Sequence, residues 1–358
     1  MANTNKGKEY FTLQLLSWHA TANNRSLPWK SEKDPYKIWL SEVILQQTRA
    51  LQGLPYYLRF TETFPGIEDI AAANDEQVFR LWQGLGYYNR CKNMLATARH
   101  IATGLNGKFP NSYEGLLALK GIGPYTAAAI ASFAFGLPNA VVDGNVYRVL
   151  ARYFGMEIPF DTTEGKKVFA GLAQELLDIK DSAAYNQAIM DLGATICSPR
   201  NPLCDQCPLQ KKCIAFHDNL IDVLPVRSKK QSIRKRYFNY MLLWWKDKLW
   251  IHKRIGKDIW QNLHEPYLIE SGDLQDINEL LKHDFFTNNN IARTAIKYEG
   301  SLTQKLTHRI IESRFYSIDF LKEPKIDDID GMWLTTSELK KTAFPKTIVS
   351  FLEKNLYF

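Results

Sequence analysis

The sequence has no apolar run that approaches the ~18 residues a membrane-spanning helix requires. Its most apolar stretch, residues 126–142, is interrupted by Ser132, Gly136 and Pro138. The first nine residues are polar, and no apolar segment with a small-residue cleavage site follows them, so no secretory signal is recognised. We therefore expect a cytoplasmic protein with no membrane partner.

Cysteine is scarce as well, with five residues in a chain of 358. An odd number of thiols in a reducing compartment argues against a disulfide framework. Cys91 stands alone, whereas Cys197, Cys204, Cys207 and Cys213 share one segment with the spacing C-x6-C-x2-C-x5-C. Four thiolates so close together favour a soft metal centre. Because only one C-x2-C pair is present, ligand type alone leaves zinc and iron–sulfur as equal alternatives.

Extremes of composition are absent, which excludes disordered and fibrous chains. The sequence is 45% hydrophobic and 23% charged, as globular proteins are. Its length corresponds to roughly two or three domains, and no repeat of fixed period is present. Lys and Arg (45) exceed Asp and Glu (38) by seven. This modest excess favours an anionic partner such as nucleic acid, although an ordinary surface would also account for it.

Hydrophobic periodicity separates a helical part from an α+β part. It predicts helices over residues 36–49, 77–82, 93–102, 113–119, 126–135, 145–153, 165–177 and 184–197. Aromatic, β-favouring runs at 237–245 and 249–253 predict a hairpin, and residues 275–282 a helix. The sequence therefore predicts a mainly α domain over 1–224, a basic linker over 225–235 and an α+β domain over 236–358. The linker is either a solvated tether or a segment that lies along phosphate.

Residues 113–135 read as helix, tight turn, helix. Gly121 and Gly123 allow backbone conformations closed to other residues, and Pro124 suits the first position of the second helix. Free amides at such a helix start bind anions, so the turn is a candidate site for a DNA phosphate. A plain helix–helix turn is the alternative.

Two carboxylates are candidates for chemistry. Asp143 follows an apolar run and precedes a predicted helix, so in isolation it is best explained as a helix N-cap. Glu42 shares a helix face with Ile38 and Leu45, which predicts partial desolvation and a pKa raised toward that of a proton donor. The alternative for Glu42 is an ordinary exposed glutamate.

The hairpin, the aspartate and the cysteines, in this order over residues 25–215, resemble the endonuclease III-like branch of the helix–hairpin–helix DNA glycosylases. The resemblance implies a fold of two helical subdomains, in which the loop 197–213 holds one [4Fe–4S] cluster on its four cysteines. The Glu42 segment, which continues into Gln-Gln-Thr, resembles the MutY family of adenine DNA glycosylases. So do Arg25, Leu27-Pro28-Trp29 and residues 84–88, while Lys30 departs from the usual arginine.

The family resemblance implies the following roles. Glu42 is the general acid, Asp143 stabilises the oxocarbenium ion or a covalent intermediate, Asn145 orients Asp143, and Tyr125 adds a dipole near the sugar. Tyr125 stands where bifunctional relatives carry a nucleophilic lysine, so we expect a monofunctional enzyme. The implied DNA contacts are Arg25, Trp29, Gln47, Thr48, Leu85, Tyr87, Gly121, Gly123, Thr307 and His308.

The C-terminal part resembles the Nudix-like domain with which this family reads 8-oxoguanine. Thr307 and His308 match the family's recognition pattern, whereas Gln304 and Leu306 depart from it. Residues 256–282 contain no dense Arg-Glu…Glu-Glu metal site, which favours a reader over a hydrolase. The expected partner is double-stranded DNA with an A:8-oxoguanine or A:G mispair, bound by a monomer at the bacterial nucleoid. The alternatives are an endonuclease III-like lyase acting on oxidised pyrimidines and a non-catalytic iron–sulfur DNA-binding protein.

Overall fold

Helices joined by short loops make up the first two-thirds of the chain. The computed structural model describes residues 2–228, 233–289, 291–292, 295–306, 308–324, 326 and 329–355, with side chains from residue 8 onwards. In chain order the helices are α1 (Ala2–Thr21), α2 (Pro35–Leu45), α3 (Ala50–Thr63), α4 (Ile67–Ala72), α5 (Asp75–Trp82), α6 (Tyr88–Gly104), α7 (Tyr113–Leu117), α8 (Pro124–Phe135), α9 (Gly144–Phe154), α10 (Thr163–Leu176), α11 (Ser182–Thr195) and α12 (Ile214–His217). Two short 3-10 turns, Cys204–Gln206 and Gln210–Lys212, lie between α11 and α12.

Local sequence signals explain where the site-bearing helices begin and end. The Asp34 side chain accepts a hydrogen bond from the Tyr36 amide, and Pro35 occupies the first turn of α2. The predicted helix over 36–49 is too long, because Gln47 adopts a left-handed φ of 56° and separates α2 from α3. At the far end of α8, Gly136 takes a φ of 66° and closes the helix.

Contacts divide the chain into two units. The first comprises Met1–Ala72 and Asn93–Lys229, and the second comprises Ala73–Lys92 and Lys230–Phe358. The boundary at 229/230 falls inside the predicted linker, 225–235, of which residues 229–232 lie outside the described chain. The second unit also takes in the segment 73–92, which the sequence pattern groups with the helical domain.

The core of the first unit brings five helices together. Phe11 of α1, Leu150 of α9, Phe169 of α10 and Ile189 of α11 are almost fully buried in one cluster, which also includes Ala129 of α8. Helix α8 packs against α2, α7 and α11, and α9 packs against α11. The start of α8 is thereby fixed against α2, and the start of α9 lies next to the same helical core.

The second unit is built on a mixed sheet. Its strands are β1 (Arg234–Trp245), β2 (Lys248–Lys253), β3 (His264–Glu265), β4 (Tyr267–Ser271), β5 (Ile296–Lys305), β6 (Arg309–Phe320) and β7 (Gly331–Thr335). In the described residues the strand order is β3-β2-β1-β6-β5, while β4 pairs with β1 and β7 with β2. Strands β1 and β6 run parallel from Arg234↔Arg309 to Trp245↔Phe320.

The predicted hairpin is present between β1 and β2. Lys246 and Asp247 both have positive φ, 49° and 59°, as a two-residue hairpin turn requires. In the described residues after β1, four short helices accompany the sheet, α13 (Ile277–Leu280), α14 (Asp284–Asn288), α15 (Thr336–Leu339) and α16 (Lys346–Lys354). The predicted helix over 275–282 is thus reduced to a single turn.

Aromatic side chains fill the core of the second unit. Tyr267 stacks on Phe285 with 4.2 Å between ring centroids, and Phe315 stacks on Phe351 of α16 at 3.7 Å. Among all described residues, no helix combines the length and apolarity needed to cross a bilayer. The predicted fold class, a mainly α part followed by an α+β part, is confirmed.

Candidate active site

Helix α2 carries Glu42 into the interior of the first unit, where its side chain is 7% exposed. Burial is the main reason that the pKa of Glu42 rises from 4.5 to about 7. The nearby charge of Asp143 raises this pKa further, while a hydrogen bond from Tyr125 acts in the opposite direction. A carboxyl group with this pKa carries a proton in a large fraction of molecules at neutral pH, so it can act as an acid.

Tyr125, in the first turn of α8, lies near both carboxylates. Its hydroxyl donates a hydrogen bond to the Glu42 side chain and lies 4.0 Å from the sulfur of Met190. Burial and the charges of Glu42 and Asp143 hold the pKa of this phenol well above its ordinary value of 10. The phenol is therefore protonated at neutral pH and can donate a hydrogen bond.

Asp143 is both the N-cap of α9 and a neighbour of Glu42. Its Oδ1 accepts hydrogen bonds from the backbone amides of Asn145 and Val146, each at 2.8 Å, and its Oδ2 accepts from Asn145 Nδ2 at 2.7 Å. Burial raises the pKa of Asp143, whereas these donors and the charge of Arg148 lower it. The N-cap and active-site interpretations of this residue are therefore compatible.

Arg148 connects this carboxylate to the cysteine loop, a contact that sequence reasoning missed. Its Nη2 donates to Asn145 Oδ1 at 2.8 Å and to the Gly193 carbonyl at 2.6 Å, and its Nε donates to the Cys197 carbonyl at 2.7 Å. The side chain is 8% exposed. In the sequence, the contact is indicated only by the position of Arg148, five residues after Asp143 in a helix with an apolar face.

A buried carboxylate organises the N-terminal loop beside α11. Asp191 is fully buried and accepts hydrogen bonds from Arg25 Nη1 at 2.8 Å and Asn23 Nδ2 at 2.7 Å. Lys30, at the position where the family usually has arginine, forms an ion pair with the same carboxylate. Trp29 lies edge-on to Tyr57 with 5.2 Å between ring centroids. Sequence analysis missed Asp191, although a charge inside an apolar helix indicates a buried partner.

The turn that follows α2 presents polar groups. Gln47 is exposed at its left-handed position, and Thr48 closes the turn by donating its amide to the Leu45 carbonyl at 3.0 Å. The neighbouring Gln46 donates its Nε2 to Thr126 Oγ1 of α8 at 3.2 Å. This contact ties the turn to the helix that carries Tyr125.

The glycine turn before α8 has the predicted form. Gly121 has a φ of +76°, and a Cβ atom there would approach Asn93 Cβ to 2.7 Å. Gly123 is the N-cap of α8, and no side chain caps the amides of that first turn. A Cβ at Gly123 would meet nothing within 4 Å. The open start of this 12-residue helix therefore faces free space, as a phosphate site requires.

Of the predicted DNA contacts, Leu85, Tyr87 and His308 belong to the second unit. Leu85 is 5% exposed and packs in the interior, whereas Tyr87 is 46% exposed with a φ of 51°. His308 is exposed, and its carbonyl accepts a hydrogen bond from the Arg234 amide at 3.2 Å. Thr307 lies outside the described residues.

The four clustered cysteines line one cavity, together with Arg152. The Arg152 guanidinium is 2% exposed, lies 3.4 Å from Cys197 Sγ and donates to the Ser198 carbonyl at 2.8 Å. Within the described chain, no three His, Cys, Asp or Glu side chains form a closed metal shell. Four thiols around one cavity beside a buried cation nevertheless form a donor set that fits a soft, thiolate-bound metal centre.

Comparison with known proteins agrees with this architecture. Residues 40–168 match the HhH-GPD superfamily base excision DNA repair proteins, and residues 239–354 match the NUDIX domain. The chain is 31% identical over 347 residues to the adenine DNA glycosylase of Buchnera aphidicola subsp. Schizaphis graminum (strain Sg), covering 96% of this chain and 98% of that protein.

Two solved structures share the fold of the helical part. A thermostable thymine-DNA glycosylase is 31% identical with a TM-score of 0.56, and the match covers 60% of this chain and 99% of that one. Endonuclease III in a non-covalent complex with DNA is 21% identical with a TM-score of 0.50, covering 57% of this chain and 94% of that one. The predicted helix–hairpin–helix fold and the Nudix-like C-terminal part are confirmed.

Proposed function

The chain belongs to the adenine DNA glycosylase family, and we propose that it excises adenine mispaired with 8-oxoguanine or guanine from double-stranded DNA by hydrolysing the N-glycosidic bond. The observation that carries the proposal is the buried Glu42, with its pKa of about 7, next to Asp143 and Tyr125. Glycoside cleavage uses one carboxyl group that donates a proton and a second that stays ionised. Burial raises the pKa of both Glu42 and Asp143, and the N–H donors and Arg148 beside Asp143 favour its charged form.

The reaction begins when adenine leaves the base stack, at a cost that a mispair reduces. Tyr87, whose side chain is exposed, is proposed to fill the gap, and the exposed Gln47 of the first unit is a second candidate. Leu85 is buried, so its insertion would require the turn to move, and Tyr87 is the better wedge.

Protonated Glu42 then donates its proton to N7 of adenine, while the hydrogen bond from Tyr125 holds the carboxyl group in place. The C1′–N9 bond breaks, and its electron pair leaves with the base as neutral adenine. Asp143, whose N–H donors favour the charged form, stabilises the positive sugar or forms a transient bond to C1′. Ionised Glu42 finally takes a proton from the attacking water, whose oxygen bonds to C1′. Glu42 is then protonated again, and Asp143 is again a free carboxylate.

The polar groups near the N-terminal loop suit recognition of the base. Asp191 holds Arg25 and Lys30 by ion pairs and so fixes the loop that presents Trp29. Trp29 offers an aromatic face to an extruded purine, and Arg25 a planar donor to its edge. The open amides at Gly123 and the turn at Thr48 would bind the flanking phosphates.

Cys197, Cys204, Cys207 and Cys213 would together hold one [4Fe–4S] cluster, which supplies a cross-link for the loop 197–213 rather than a reaction step. Arg148 would then join this loop to the Asp143 end of α9. Thr307 and His308 of the second unit are proposed to read 8-oxoguanine, in a protein that acts as a monomer.

Single-turnover excision from an A:8-oxoguanine duplex tests the proposal. We expect the wild-type chain to release adenine, Glu42→Gln to bind the duplex without release, and Glu62→Gln, an exposed carboxylate on α3, to behave as wild type. Borohydride should trap no covalent adduct, because the position between the carboxylates is Tyr125 rather than an amine. Binding without release by the wild type would refute the activity, and efficient trapping would favour a lyase.

A further inference from the structure

The segment that carries Tyr87 packs as part of the second unit. Residues 73–92 connect α4 to the rest of the helical chain, yet their contacts place them with the C-terminal sheet. Helix α5 forms the first half of this segment, and the start of α6 forms its end. Tyr87 lies in the turn between them and is 46% exposed.

Glu76, near the start of α5, makes the first attachment. Its Oε1 accepts a hydrogen bond from the Ala343 amide at 3.3 Å and lies 3.7 Å from His264 Nδ1. His264 is 5% exposed, and its own amide donates to the Ala343 carbonyl at 2.9 Å. Glu76, whose side chain is 43% exposed, thereby joins α5 to the buried His264 of β3 and to the loop before α16.

Lys92, in the first turns of α6, makes the second attachment. Its Nζ lies 3.4 Å from the side-chain oxygen of Gln261, in the loop that leads into β3. The two contacts lie on either side of the Tyr87 turn, and both end on the same short region of the C-terminal sheet, residues 261–265.

The turn between the attachments is tightly defined. Gly84 and Gly86 have φ values of 98° and 72°, and Tyr87 itself is left-handed. Trp82 Nε1 donates to the Gly86 carbonyl at 2.8 Å, and the Arg90 guanidinium stacks over the rings of Trp82 and Tyr87. These contacts hold the turn, so a displacement of either attachment would be transmitted through them to the Tyr87 ring.

We propose that Glu76 and Lys92 are positioning residues, through which the C-terminal unit sets where Tyr87 stands when adenine is extruded. The inference rests on the proposed function and adds to it a physical link between the lesion-reading unit and the wedge. A wedge that is misplaced by about 1 Å lowers the rate of a step that depends on its geometry without removing any catalytic group.

The test compares Glu76→Ala, Lys92→Ala, the double variant and Glu76→Gln with the full-length wild type. Gln77→Ala, an exposed position on the same helix, is the matched control. Extrusion is followed by the fluorescence of 2-aminopurine placed opposite 8-oxoguanine, and excision by single-turnover release of adenine. The active fraction, the melting temperature and the affinity for a duplex with an abasic analogue are measured for each variant.

We expect the double variant to lose about tenfold in excision rate and most of the 2-aminopurine signal, at unchanged active fraction and abasic-site affinity. Glu76→Gln, which keeps an acceptor for the Ala343 amide, should recover part of the loss. The inference is overturned if the double variant matches Gln77→Ala, or if its loss is accounted for by a smaller active fraction. If the wild type extrudes 2-aminopurine without releasing adenine, the proposed function fails, and the link is then judged by the loss of the 2-aminopurine signal in the double variant against Gln77→Ala.

Discussion

Replacing Glu42 with glutamine should stabilise the protein above neutral pH while it abolishes excision. Between pH 4.5 and about 7 the folded state keeps a proton on Glu42 that the unfolded chain has already released. The free energy of unfolding therefore falls as pH rises through this window and stays low above it. The displacement of the pKa corresponds to about 3 kcal/mol. Glutamine has no charge to bury and still accepts the Tyr125 hydrogen bond, so it should recover most of this amount.

Urea unfolding followed by tryptophan fluorescence measures the effect. At pH 8 we expect Glu42→Gln to exceed the wild type in unfolding free energy by up to about 3 kcal/mol, and at pH 4 to match it. Glu62→Gln, which removes an exposed carboxylate, should change little at either pH. A glutamine variant that is no more stable than the wild type at pH 8, or a gain of equal size at both pH values, would refute the reasoning.

Four further outcomes follow from the same geometry. The excision rate should fall as pH rises above about 7, because Glu42 then loses the proton it donates; a profile flat from pH 6 to 9 would contradict this assignment. Asp143→Asn should lower the single-turnover rate by about 10³-fold with unchanged helical circular dichroism, since asparagine also caps helices. Asp191→Asn should destabilise the protein by about 2 kcal/mol in urea unfolding, because it leaves two cations without their charged acceptor. Cys207→Ser should lose protein-bound iron and sulfide, and a variant that retains both would exclude this ligand set.

Much of the fold could be predicted because local signals and periodicity agree. The glycine turn, the hairpin at Lys246 and Asp247, and most helices follow from residues within a few positions of one another. The predicted helix over 36–49 is too long because α2 ends at the left-handed backbone of Gln47, and no glycine or proline in the sequence marks that position. The membership of residues 73–92 in the second unit depends on contacts with residues more than 160 positions away, and sequence periodicity carries no such information.

The candidate site was predictable to a different extent. The burial of Glu42 follows from its helix face, and the position of Asp143 follows from the helix that begins directly after it. Arg148 and Asp191 were missed, because each acts through partners on other helices, and a charged residue in an amphipathic pattern usually faces solvent. Three-dimensional packing was needed to show that both are buried and fully engaged.

The way in which α9 begins restricts how a deoxyribose can react here. Both oxygens of Asp143 are already held by amide groups of the same short segment. A swing of this side chain toward an incoming substrate would uncover the backbone of the first helical turn. The Asp143 carboxylate therefore stays in place, and the flexible DNA backbone must bring the sugar to it. We infer that the approach of the sugar, rather than a movement of Asp143, decides which face of the ring meets this anion.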